Sequence, residues 1–167
     1  MTSTDVSVDG FNALPEAEAT RRLLSCLGVS RWVAEVAGGR PYADLTQLTA
    51  RASAAAAELS DDELDQALAG HPRIGERAGA GHEVEFSRRE QSGVDHGDPD
   101  ITAALTDGNR AYEQRFDRVF LIRAAGRSSA EILAELRRRL SNDDETERAE
   151  TVAQLREIAV LRLKDVI

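Results

Sequence analysis

Residues 101–119 read ITAALTDGNRAYEQRFDRV. Ile101, Leu105, Gly108, Tyr112, Phe116 and Val119 recur at steps of three and four, which places them on one face of an α-helix. The same period returns on both sides. Downstream, Ile132, Leu136 and Leu140 make a second stripe, with Arg137, Arg138 and Arg139 expected mostly in water, and residues 144–166 read as one long final helix. Upstream, residues 44–58 (DLTQLTARASAAAAE) are rich in alanine, the best helix former. Leu23, Leu24 and Leu27 form a stripe behind Pro15, a residue suited to a first helical turn. Four S-x-x-E-like pairs have the form of capping boxes: Ser60/Glu63, Ser87/Glu90, Ser128/Glu131 and, more loosely, Asn142/Glu145. Leu27-Gly28, Ala37-Gly38 and Ala69-Gly70 read as helix stops. The one short apolar run with a strand-like look, Val119–Ile122, is equally readable as a helix end. The pattern predicts an all-α fold. It is a single compact domain of seven or eight helices over 11–167, with a polar, frayed 1–10 and one long glycine-rich loop at 70–86.

Composition supports that frame and narrows the function. At 167 residues the chain suits one domain, and its single cysteine, Cys26, excludes an intrachain disulfide. Cys26 lies among helically spaced leucines and reads as a small buried hydrophobe. No run approaches the roughly 18 apolar residues of a membrane span. The first residues, MTSTDVSVDG, lack the basic and apolar regions of a secretory signal, so a cytoplasmic location is expected. A net charge of −9 argues against nucleic acid as partner. An anionic small substrate would need local arginines against that field.

The chemistry-bearing stretch is 71–91, HPRIGERAGAGHEVEFSRREQ. His71 follows a helix stop and precedes Pro72, which restricts the histidine to extended backbone. Its imidazole titrates near neutrality and can exchange a proton there; taken alone it is also readable as an ordinary loop histidine. Glu90 is either a helix cap like its counterparts or a carboxylate facing the same loop. Ser87 reads first as the cap, and Gln91 adds an amide that donates and accepts. In the last helix Arg162 shares a face with Leu155, Ile158 and Val166, so it must snorkel, pair with an acid or face a cleft. Asn109, Tyr112, Arg115 and Phe116 read as core packing with polar anchors, and Gly126-Arg127-Ser128 as a turn into a capped helix. The three histidines, His71, His82 and His96, fit no zinc spacing, and no nucleotide fingerprint is present, so neither metal nor cofactor is expected. Two other classes stay open from these residues alone: a non-catalytic helical interaction module, and a hydrolase, metal-dependent through His71 and His82 or acting on a related ureide.

Taken in order, FNALPEAEA (11–19), Trp32, RPY (40–42), HPRIGE (71–76), SRREQ (87–91), Asn109, Tyr112, Arg115-Phe116, VFLIRAAGRS (119–128), ILAELRRRL (132–140) and EIAVLRL (157–163) resemble the 2-oxo-4-hydroxy-4-carboxy-5-ureidoimidazoline (OHCU) decarboxylases of urate degradation. The resemblance covers about 11–166. It implies an all-α fold, commonly a homodimer, and cofactor-free decarboxylation to (S)-allantoin, acting beside urate oxidase and 5-hydroxyisourate hydrolase. It places the catalytic pair on His71 and Glu90. It gives substrate contacts to Arg162, Gln91, Ser87, Pro72, the Leu14-Pro15 turn and backbone groups of Phe120–Ile122. Two positions depart from the family pattern. Asp117 stands where relatives often carry glycine, an exchange that aspartate tolerates better than most residues if the backbone is left-handed. Arg123 stands where relatives often have a smaller side chain.

Overall fold

In the computed structural model the described residues are 8–71, 73–74 and 98–167. They form eight helices and, among the described residues, no strand: α1 (Val8–Ala13), α2 (Glu16–Cys26), α3 (Ser30–Gly38), α4 (Leu45–Ala56), α5 (Asp61–Ala69), α6 (Pro99–Phe116), α7 (Ser129–Arg139) and α8 (Asp144–Val166). The all-α expectation holds. Most of the glycine-rich segment lies outside the described residues, as do residues 1–7, while residues 8–10 belong to α1. None of the described helices is long and apolar enough to cross a membrane.

Local chemistry accounts for the helix ends. At α5 the capping box is reciprocal: Glu63 N–H donates to Ser60 Oγ at 3.2 Å, and Ser60 N–H donates to Glu63 Oε1 at 3.0 Å. Ser128 caps α7 by accepting from Glu131 N–H at 3.2 Å. Ahead of α6, Asp98 accepts from two backbone amides, and Pro99 fills the first turn, where no N–H is needed. Asp44 caps α4, accepting from Gln47 N–H at 2.8 Å. The expected Asn142/Glu145 box is corrected: Asp143, one residue later, accepts from Thr146 N–H at 2.7 Å. The Asn142 amide instead donates to Glu147 and Glu150. Ser87/Glu90 lies outside the described residues.

The described chain falls into two compact units. One holds the residues up to Ala67 together with Leu155–Ile167; the other falls within Leu68–Gln154. In the first, α2, α3 and α4 pack in succession. The alanines of α4 let α3 approach closely, and Trp32 donates its indole N–H to Ala52 O at 2.9 Å. Leu23 and Leu27 are buried, but Leu24 is 42% exposed, so the leucine stripe is narrower than expected. Cys26 is buried. The ends of α2 and α8 exchange arginines. Arg22 donates to Val166 O at 2.9 Å, and Arg162 reaches Ser25 O at a long 3.5 Å. Each cation thus meets the carbonyl-rich last turn of the other helix.

In the second unit, Ile74, Leu105, Tyr112, Phe120, Ile122, Ala124, Ile132, Leu133 and Leu136 form one apolar cluster. Gly108 is the contact point of α6 with α7: a Cβ there would come within 2.6 Å of Leu136 Cδ2. The helix of 101–119 ends at Phe116, because Asp117 turns left-handed (φ 56°, ψ 36°). This is the backbone that makes glycine common at such a position, and aspartate adopts it at small cost. Val119–Ile122 is therefore neither strand nor helix but an irregular connection, and it is buried from Phe120 to Ile122.

Several surface carboxylates are held ionised by arginines. Arg21 and Arg22 hold Glu18 down to about 2, and Glu63 and Glu150 are lowered chiefly by Arg31 and Arg138. A folded pKa below the unfolded one contributes stability above the ordinary carboxylate range and loses it as pH falls through the folded value. The melting temperature is therefore expected to drop progressively between about pH 5 and pH 2. Circular-dichroism melts across that window check this; a flat profile would contradict it.

Candidate active site

His71, the histidine expected at the site, belongs to the second unit. It lies just past the end of α5, half-buried, with its N–H donating to Leu68 O at 3.0 Å. Arg73 and Ile74, close behind it, are tied to α6. The Arg73 guanidinium pairs with both carboxylate oxygens of Glu113. Asn109, itself buried, donates to Ile74 O at 3.1 Å. Ile74 packs into the cluster that also holds Phe120 and Ile122. The histidine segment and the 120–122 segment, 49 residues apart between His71 and Phe120 by their numbering, therefore share one core. Asn109 and Tyr112 are the polar anchors expected of that helix; Arg115 pairs with Asp144 at 2.6 Å. Asn109 Oδ1 is buried with no hydrogen-bond partner among the described residues.

The 117–128 connection begins at left-handed Asp117 and ends in a turn at Gly126 (φ 79°) that leads into the Ser128 cap, as its G-R-S run suggests. Arg123, the second departure, is accommodated by backbone contacts. Its N–H donates to Gln154 Oε1 at 2.8 Å, its guanidinium to Ala125 O at 2.8 Å, and its carbonyl accepts from Arg127 Nε at 3.0 Å.

One expectation fails here. Arg137 and Arg138 are solvent-facing, but Arg139 is 1% exposed. It forms a buried ion pair with Glu147, also 1% exposed, through Nε at 2.8 Å and through Nη2. It also donates to Leu121 O at 2.6 Å and faces the Phe120 ring at 4.7 Å. Tyr112 completes the group, donating its hydroxyl to Glu147 at 2.6 Å; burial first, and this carboxylate second, push its ionisation up. Position offered a signal for Arg139: it falls seven residues after Ile132, on the buried side of α7.

In the first unit, Arg162 is 1% exposed, so the snorkelling reading is excluded. The Leu14-Pro15 turn is held by the first residue of the RPY motif, for which no role was expected. Arg40 donates to Phe11 O at 3.1 Å and Leu14 O at 2.9 Å, over the Phe11 ring. Asn12 and Tyr42 exchange two backbone–amide hydrogen bonds at 2.8 Å, so the FNALP and RPY motifs meet directly. A groove of about 370 Å³ between α2 and α3 is lined by Glu16, Thr20, Leu24, Val33, Ala37 and Arg40, and holds none of the expected substrate contacts. Pro72, Ser87, Glu90 and Gln91 lie outside the described residues, as do His82 and His96.

Comparison with known proteins gives a consistent picture. A curated relative, the uric acid degradation bifunctional protein of Bacillus sp. (strain TB-90), is 28% identical over 159 residues. That match takes in 93% of this chain but only 31% of the relative, so the chain spans about a third of that protein's length. Two solved structures share the fold. An OHCU decarboxylase crystallised in the presence of (S)-allantoin has a TM-score of 0.70 at 22% identity, covering 85% of this chain and 94% of that one. An (S)-allantoin synthase has a TM-score of 0.72 at 20% identity, covering 97% of this chain and 54% of that one. The family model described as OHCU decarboxylase matches residues 12–164, nearly the whole chain, and the protein belongs to the OHCU decarboxylase family.

Proposed function

We propose that this protein decarboxylates OHCU to (S)-allantoin in urate degradation, without a metal or organic cofactor. The observation that carries the reading is the family match over 12–164, which includes every residue proposed for the site. The substrate carries its carboxylate on a ring carbon that also bears a hydroxyl. As the C–C bond breaks, CO2 departs and the electron pair moves into the adjoining imine and carbonyl system, so the ring itself is the electron sink. The protein then has two tasks: to hold the carboxylate where its bond breaks toward the π system, and to deliver a proton to one face of the ring.

In this scheme His71 assists C–C cleavage through the hydroxyl or the carboxylate. Glu90 delivers the proton that fixes the (S) hand. Arg162 anchors anionic or carbonyl oxygens through its planar fork. Gln91 and Ser87 hold the ureido amides, and Pro72, Leu14, Pro15 and the backbone of Phe120–Ile122 shape the pocket. The domain spans 11–167, works in the cytoplasm as a homodimer, and takes its substrate from the urate oxidase and 5-hydroxyisourate hydrolase steps.

The reading is tested by following CO2 release from freshly generated OHCU with and without chelator. Rapid, chelator-insensitive release supports it. No acceleration by folded protein would reject it, and loss of activity with chelator would favour a metal-dependent enzyme built on His71.

A further inference from the structure

The 120–122 backbone lies in an irregular segment that no helix or sheet ladder holds, yet it is buried. Buried peptide groups need partners. Here one side chain supplies much of the restraint. Arg139 Nη1 donates to Leu121 O at 2.6 Å, and its guanidinium faces the Phe120 ring at 4.7 Å. The two other nitrogens are committed elsewhere: Nε to Glu147 at 2.8 Å, and Nη2 to Glu147 and to Thr151 Oγ1 at 3.3 Å. Glu147 is fixed in turn by Tyr112 at 2.6 Å and Asn142 at 3.0 Å. The fork therefore has one orientation. Rotating it toward Leu121 or away would break bonds on the Glu147 side. A lysine could keep the ion pair but has a single nitrogen and no planar fork, so it cannot hold Glu147 and the Leu121 carbonyl in the same geometry.

We infer that Arg139 is a positioning residue for substrate binding, setting the orientation of the Phe120–Ile122 peptide groups through the Leu121 carbonyl. The inference rests on the proposed function, in which those peptide groups meet the ureide. It assigns Arg139 no contact with substrate. Such contacts are made to the ground state and the transition state alike, so their misplacement raises KM more than it lowers kcat.

The test compares the wild type, Arg139→Lys and Val152→Ala by OHCU kinetics and by calorimetric titration with (S)-allantoin, all well below each melting temperature. Val152 is buried on α8 and outside the Phe120 cluster, so Val152→Ala weakens the same unit without releasing Leu121. Arg139→Lys is expected to raise KM and weaken (S)-allantoin binding about tenfold, the worth of one well-placed hydrogen bond, with a smaller change in kcat. Val152→Ala is expected to keep wild-type KM and affinity. A folded Arg139→Lys with wild-type KM and affinity would overturn the inference, as would a Val152→Ala showing the same shift. Should Arg139→Lys fail to fold, Glu147→Gln is read the same way, a raised KM supporting the inference and an unchanged one overturning it. A wild type that neither turns over OHCU nor binds (S)-allantoin would remove the decarboxylase reading and this inference together. Wild-type turnover with an indifferent Arg139→Lys would remove only the inference.

Discussion

Replacing His71 by asparagine is expected to lower kcat by roughly 10²- to 10⁴-fold, the usual worth of a positioned proton-transfer group. The melting temperature should stay close to that of the wild type. The side chain is half-buried, and the backbone around it is held by other residues: the His71 N–H on Leu68 O, the Arg73–Glu113 pair and the Asn109 amide on Ile74 O. Removing the imidazole leaves all of these in place, so activity and stability separate. Asparagine keeps polarity and hydrogen bonding but cannot exchange a proton near neutrality. Steady-state kinetics with a thermal melt of the same sample make the measurement. Near-normal turnover by folded His71→Asn would remove His71 from the chemistry.

The largest effect on stability is expected at Glu147. Replacing it by leucine leaves the Arg139 charge buried without its carboxylate and takes the acceptor from the Tyr112 hydroxyl. Breaking a buried pair from one side costs about 3–5 kcal/mol. In a protein of this size that corresponds to a fall of roughly 6–20 °C in melting temperature. The double variant Arg139→Met, Glu147→Leu should recover much of the loss, because two apolar side chains carry no desolvation penalty. Recovery should stay incomplete, since Leu121 O loses its donor and a buried carbonyl without one costs about 1–3 kcal/mol. Thermal melts of the three proteins decide this. Glu147→Leu with an unchanged melting temperature would contradict the ion pair's place in the fold.

The helices were legible because their signals are local. Periodicity and caps depend on residues three or four apart, and Ser60/Glu63 and Ser128/Glu131 sit where those spacings put them. Arg162 could be recognised as out of place for the same reason, since it shares a face with Leu155 and Ile158, but only the structure decides that it is buried rather than snorkelling. That face continues back through Thr151 to Glu147, so α8 carries a buried acid at one end and a buried arginine toward the other. Arg139 was misread because a run of three arginines resembles a solvated face. Its place seven residues after Ile132 was the overlooked signal of burial; its partners, Glu147 on the next helix and the Leu121 carbonyl, are what a helical period does not reveal. The 119–122 segment was ambiguous because its structure is set by the turn at Asp117, by Arg139 of α7 on the Leu121 carbonyl and by Gln154 of α8 on the adjoining Arg123 N–H rather than by its own apolar run. The resemblance points to His71, Glu90 and Arg162 for the roles proposed above, but it carries no information on the contacts that shape the segments around the proposed site. Arg40 on Leu14 O, Asn109 on Ile74 O and Arg139 on Leu121 O are all long-range contacts from side chains to backbone.

The most direct measurement is circular dichroism of OHCU generated in place from urate by urate oxidase and 5-hydroxyisourate hydrolase, with and without this protein. Uncatalysed decay gives racemic allantoin and no lasting signal. With the protein present, the (S)-allantoin signal is expected to grow rapidly. A racemic course at the uncatalysed rate, with the protein folded, would contradict the proposed function.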